Sequence, residues 1–239
     1  SFSFKLSGGF AGFDTPATFR QFNRALAARV AVYRGNFNDA LTALQASFLD
    51  AGGDLNLGVF HIYSTAAGDE ISPVFEISSA TFVKLHAHQS FEADAEAGDL
   101  RFSSKTFKRV PADIFDSLTS DLAAVLAETN VSPYPIIRNE ELILLRAEAN
   151  VGAGNFAAAE ADMNIVRAAA GLAAYPAGST TASNGLDRVL HEKRYSLFGE
   201  GHRWIDMRRY GRLGQLPIDR PGDTVLTRMV VPLAEFSGG

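Results

Sequence analysis

Two stretches of this 239-residue chain repeat one another at a fixed distance. Residues 28–40 carry Ala28, Gly35, Asn36, Phe37 and Ala40; residues 147–159 carry Ala147, Gly154, Asn155, Phe156 and Ala159, each 119 positions further on. Small residues, then Gly-Asn-Phe, then Ala is the pattern of two helices packed closely and antiparallel. The glycine permits a tight turn, the phenylalanine fills the crotch, and the alanine lets the backbones approach. The repeat therefore commits the chain to at least two helical hairpins.

Periodicity extends each unit. Phe22, Ala25, Leu26, Arg29 and Val30 recur at helical spacing, followed by Ala40, Leu41, Leu44 and Phe48 beyond an Asn36 cap, so residues 16–48 read as one hairpin. Leu142, Leu145 and Ala149, then Ala159, Met163 and Val166, define the second, closed by Gly171. Two further helices are expected over 185–198 and 202–210, joined at 199–201. The hairpins look like tetratricopeptide units, but 119 residues far exceeds one repeat length, so they are separate units rather than a tandem array.

Between them, residues 55–111 change character. Short β-prone runs at 59–63, 74–77 and 81–83 sit among Gly, Ser, Asp and Pro, a long irregular insertion of the kind that usually carries function. A short helix is expected over 112–126. The tail, 211–239, reads as loop with a strand over 225–231, and Phe2, Phe4 and Leu6 alternate as in a strand. Without an initiating Met or a signal sequence, the chain reads as a mature fragment of a longer precursor.

Composition excludes several functions. A net charge of −5 argues against nucleic acid as a partner. The absence of cysteine removes disulfides, thiolate metal sites and cysteine nucleophiles. Gly152 to Ala157 matches a loose dinucleotide pattern, but a helix rather than a strand precedes it. His86 and His88, near Glu92 and Asp94, lack the geometry of a metal site, and paired acids such as Glu140 and Glu141 read as solvated charge. No catalytic constellation, cofactor site or metal site emerges.

Residues 188–212 are the densest in charge. Arg188, Lys193, Arg194, Arg203, Arg208, Arg209 and Arg212 alternate with Glu192, Glu200 and Asp206 around Trp204, the only tryptophan. The i,i+3 pairs Glu200/Arg203 and Asp206/Arg209, with Arg194 reaching Glu200, predict an ion-pair lock between two helices, and Trp204 is assigned to packing.

In order along the chain, Arg146, Glu148, the Gly154-Asn155-Phe156 turn, Arg167, Glu192, Arg194, Glu200, Arg203, Trp204, Asp206, Arg208 and residues 232–235 resemble the C-terminal part of SusD/RagB-type outer-membrane nutrient-binding lipoproteins. The chain departs from that pattern at Ser196, where an acidic residue is usual, and at Ala169, where a second Arg is usual. The resemblance implies a mostly α, SusD-like fold of tetratricopeptide-like hairpins with a long irregular insertion, over residues 1–239 as a single domain fragment: hairpin 16–48, loop-rich insertion 55–111, hairpin plus two helices 136–210, tail 211–239. It implies a non-enzymatic glycan-binding protein on the extracellular face of a bacterial outer membrane, held by a lipid anchor absent from this chain. Its partners would be an oligosaccharide or other nutrient and a SusC-like TonB-dependent transporter. By position, the ligand residues would be Phe60, His61, Tyr63, Asp69, His86, His88 and Phe91 of the insertion. The structural motif would be Glu192, Arg194, Glu200, Arg203, Trp204, Asp206 and Arg208. The alternative is a tetratricopeptide-like scaffold that binds protein or peptide.

Overall fold

The computed structural model describes residues 2–229, 231, 232 and 235. Helix α1 (Pro16–Tyr33) begins at a reciprocal cap in which Thr15 and Thr18 bond each other's backbone N–H, with Pro16 in the first turn. It turns at Gly35 into α2 (Phe37–Gln45). Helices α5 (Asn139–Gly152) and α6 (Phe156–Ala169) form the second hairpin. The repeat extends to the backbone. Gly35 and Gly154 both take positive φ, 74° and 81°. Asn36 N–H donates to Ala31 O, and Asn155 N–H donates to Asn150 O, the equivalent atom 119 positions on. Ala28, Ala40, Ala147 and Ala159 are all fully buried, as close helix approach requires.

The two hairpins stack through α5, which also touches α7 (Gly185–Ser196). Eleven of the 14 residues of α5 are buried, so it forms the axis of the molecule rather than an amphipathic surface helix. At the stacking point the Phe37 ring lies against Gly152: a β-carbon on Gly152 would fall 2.3 Å from it. Gly152→Ala is therefore expected to destabilise the fold by about 1–2 kcal/mol, because overpacking outweighs the helical gain from Ala at a helix end. Urea unfolding of Gly152→Ala, alone and with Phe37→Leu, measures this; a variant as stable as the parent would refute the stacking argument.

The intervening segment is tied to this frame at three places. Strand β1 (Gly58–His61) pairs antiparallel with β4 (Tyr134–Arg138), Gly58 opposite Arg138, just before α5 begins. Short helices α3 (Ser90–Ala93) and α4 (Leu100–Lys105) follow, and Leu100 N–H donates to Ala170 O at the end of α6. Phe91 stacks on Tyr195 and Phe198, with ring centroids 4.7 and 4.3 Å away, which seats the insertion on α7.

The helix expected over 112–126 is not formed. Those residues belong to a hairpin of β2 (Thr106–Phe115) and β3 (Leu118–Ala124), turned by Asp116 and Ser117, both at positive φ. Two consecutive positive-φ residues give the turn whose twist matches paired strands. Pairing to 85–87, where Ala124 N–H meets Leu85 O and Ala87 N–H meets Leu122 O, overrides the helix propensity of the Leu/Ala run. Residues 74–77 and 81–83 are not strands, nor are residues 2–6. Over 225–231 no strand forms among the described residues, and Val230 lies outside them. Helix α8 (His202–Arg209) closes the frame beyond Gly201, at φ 83°.

Candidate functional site

A cleft of about 730 Å³ lies where the insertion meets the second hairpin. Part of its lining is apolar: Phe60 of β1, Pro133, Pro135 of β4, Leu100 of α4, and Val166 of α6. The floor is charged: Lys105, Arg138, Glu140 and Glu200.

The chain builds that floor from long-range partners. Arg138 is buried at the end of β4, donating to Glu140, to Glu200 Oε1 at 2.8 Å and to Ser196 O at 2.8 Å. Burial works against its charge, but the Glu140 and Glu200 carboxylates outweigh that and raise its pKa. Lys105 donates to Tyr195 O at 2.9 Å and to Ser196 O. Burial pushes its ammonium down to about 8, against the pull of Glu140 and Glu200. No carboxylate among the described residues forms an ion pair with it. Half-buried Tyr134 donates to Gly199 O at the cleft's edge; burial, then Glu200 and Tyr63, raises its pKa. Both floor carboxylates are held by one guanidinium, an arrangement suited to fixed polar contacts rather than proton transfer. Apolar side chains together with fixed donors and acceptors are what a sugar ring needs.

The residues expected to bind ligand do not converge. Phe60 lines the cleft. His61 is exposed on the same strand, and Tyr63 lies within electrostatic reach of Tyr134. Asp69 sits in an exposed loop. His86 Nε2 contacts Asp113 at 2.9 Å, while His88 contacts Ser90 and Asp219 at 2.8 and 3.0 Å, so the two rings serve different partners. Phe91 is 2% exposed in its aromatic stack and cannot offer a face to a ligand. Lys105, Arg138 and Glu140 line the cleft although each reads in sequence as an ordinary surface charge.

The charged segment is a lock, though with other partners than local spacing suggests. Arg194 pairs with Asp94 at 2.6 Å, not Glu200, and Glu200 pairs with Arg138, not Arg203. Asp206 does meet Arg209 at 2.8 Å, and also Lys193 at 2.7 Å. Lys193 reaches Glu148 of α5 at 3.0 Å, and Arg209 and Tyr210 donate to the same carboxylate. Trp204 is not the hub. It is half-buried, its Nε1–H donates to Leu226 O at 2.8 Å, and Arg208 donates to Thr227 O, so this pair fastens the tail.

Glu192 accepts from Arg101 at 2.7 Å and from Arg167 and Tyr175 at 2.8 Å, joining α7 to α4, α6 and the 171–184 loop. Glu96, His191 and Glu192 are the one group of three among the described residues that approaches metal-ligand spacing. Arg167 already bridges Glu96 and Glu192, so a guanidinium supplies the positive charge there.

Residues 121–229 match the SusD family by sequence. The fold matches a SusD superfamily protein from Bacteroides vulgatus ATCC 8482 (TM-score 0.57, 17% identity, 82% of this chain and 52% of that one). It also matches a laminarin-binding SusD-like protein (0.57, 18%, 87% and 57%) and surface glycan-binding protein A from Bacteroides uniformis (0.55, 18%, 79% and 49%). The chain thus spans about half the length of these solved structures. No curated protein matches it by sequence. The repeated hairpins, the clasped insertion and the buried ion pairs of α7 and α8 thus sit in a chain whose residues 121–229 match the SusD family and whose fold is that of the SusD-like structures.

Proposed function

We propose that this chain is part of a protein that binds nutrient oligosaccharide at the bacterial cell surface and hands it, without catalysis, to a SusC-like TonB-dependent outer-membrane transporter. The observation that carries the reading is the cleft: Phe60 and two prolines line it together with Lys105, Arg138, Glu140 and Glu200, on a fold shared with glycan-binding proteins. Location on the extracellular face of the outer membrane, through a lipid on a cysteine that this chain does not contain, belongs to the same reading. No described helix is long and apolar enough to cross a membrane. Of the insertion residues, Phe60 and Tyr63 are assigned to ligand contact, and Phe91 to packing.

Native affinity electrophoresis against a panel of polysaccharides, laminarin first, tests this. Retardation by a glycan is expected, with Phe60→Ala weakening it about tenfold, or about 1.4 kcal/mol, from the lost stacking face. Phe91→Ala should lower stability and leave intrinsic affinity unchanged. Retardation by no glycan, together with capture of peptide on the hairpin faces, would favour the scaffold reading.

A further inference from the structure

A second cavity, about 320 Å³, shares no lining residue with the cleft. It lies between α7, α8 and the turn at 211–215, with buried Leu190 and Met207 contributing apolar surface. Three arginines line it, Arg194, Arg203 and Arg212, against two carboxylates, Asp94 and Asp187. Those carboxylates are taken: Asp94 by Arg194 at 2.6 Å, Asp187 by Arg212. Asp206, the nearest acid along α8, is taken by Lys193 and Arg209.

Arg203 is left over. Among the described residues it has no carboxylate partner, and its side chain makes one long hydrogen bond, 3.4 Å to Leu190 O. Burial, then the neighbouring Arg194, lowers its pKa, as expected of a cation held where positive charge is already in excess. Beside it, His191 Nε2 is buried without a hydrogen-bond partner, 3.4 Å from Glu96 but outside bonding geometry. A planar guanidinium with free donors at a partly apolar cavity fits a carboxylate or sulfate, which it can grip through two N–H groups.

We propose that this cavity binds a small anion through Arg203, and that its ligand class is a single acidic sugar of the size of a uronic acid. The cavity is at the small end for ligand pockets, which suits one ring rather than an extended chain. Arg203 would hold the carboxylate of that ring through its free N–H groups. The site is separate from the glycan cleft, so a chain bearing acidic residues would engage two places, and a free uronic acid this one alone.

The test is isothermal titration of the 239-residue chain with D-glucuronate, D-glucose and sulfate, on wild type, Arg203→Gln and Arg203→Lys. Glucuronate is expected to bind and glucose not. Arg203→Gln should weaken glucuronate at least tenfold, and Arg203→Lys less. Sulfate competing with glucuronate would assign recognition to the anionic group; failure of sulfate to compete would assign it to carboxylate and ring together. Without ligand, Arg203→Gln should melt no lower than wild type, since it removes a charge that lacks a partner, and glucuronate should no longer raise its melting temperature. No glucuronate binding at millimolar concentration, or binding unchanged in Arg203→Gln, would overturn the proposal. Phe60→Ala, which acts on the other cleft, should leave glucuronate affinity unaltered.

Discussion

Glu148→Ala is expected to cost about 3–5 kcal/mol of stability, the range for leaving a buried charge without its partner. Glu148 is 1% exposed on α5. Lys193, 3% exposed on α7, and Arg209 of α8 both reach it, as does the Tyr210 hydroxyl. With Asp206 the group holds two acids and two bases and is neutral. Burial alone would discharge Lys193, but the Glu148 and Asp206 carboxylates reverse this and raise its pKa. Removing Glu148 turns a neutral cluster into a buried net cation. Glu148→Gln combined with Lys193→Met restores neutrality through Asp206 and Arg209, and should recover at least half of the loss. Urea unfolding of the single and double variants measures it; losses that simply add would show that charge balance does not govern this part of the core.

Acidification from pH 7 to pH 4.5 should draw about 2–3 kcal/mol of stability through one side chain, His202. Its imidazole is 6% exposed at the start of α8, 2.9 Å from Tyr33 Oη. Burial, and then the surrounding Lys193, Arg29 and Arg138, push its pKa from 6.5 down to about 3. Unfolded, it takes a proton near 6.5; folded, it stays neutral until about 3. Between those values the unfolded chain binds the extra proton. The stabilisation is complete above 6.5 and is lost as pH falls toward 3, at about 1.4 kcal/mol per pH unit. Burial raises the pKa values of Glu141 and Asp162, whose contribution has the opposite sign, so the diagnostic quantity is a difference. His202→Asn keeps a polar partner for Tyr33 and cannot titrate. Its unfolding free energy should change about 2–3 kcal/mol less than wild type between the two pH values; parallel pH profiles would exclude His202 as the source.

What could be read from the sequence follows how local each signal is. The hairpins are legible because Gly35 and Gly154, with the alanines around them, encode turn and helix contact within a dozen residues. The β2–β3 hairpin is not. Its turn uses Asp116 and Ser117 rather than an Asn-Gly pair, and its second strand is a Leu/Ala run whose extended state is imposed by Leu85 and Ala87 from far along the chain. The charged segment shows the same divide. Asp206 and Arg209 pair as spacing suggests, but Arg194 takes a partner 100 residues away, Glu192 one 91 away and Glu200 one 62 away. Local spacing identifies which residues carry charge; tertiary contact chooses among partners. At the cleft, Phe60 belongs to the insertion flagged by composition, whereas Lys105 and Arg138 acquire their role only when α4 and β4 meet the end of α7.

The pairing of Gly58 with Arg138 means that the long excursion leaves and rejoins the helical frame at a single doorway. A segment whose two ends are already side by side can lengthen, shorten or exchange its contents at small entropic cost, since closure of the loop is settled at its base. The frame asks of it little more than the doorway, a ring to lie on Tyr195 and an acid and base for Glu192 and Arg194 to meet. Such an architecture lets one helical frame accept insertions of different length and content without being refolded.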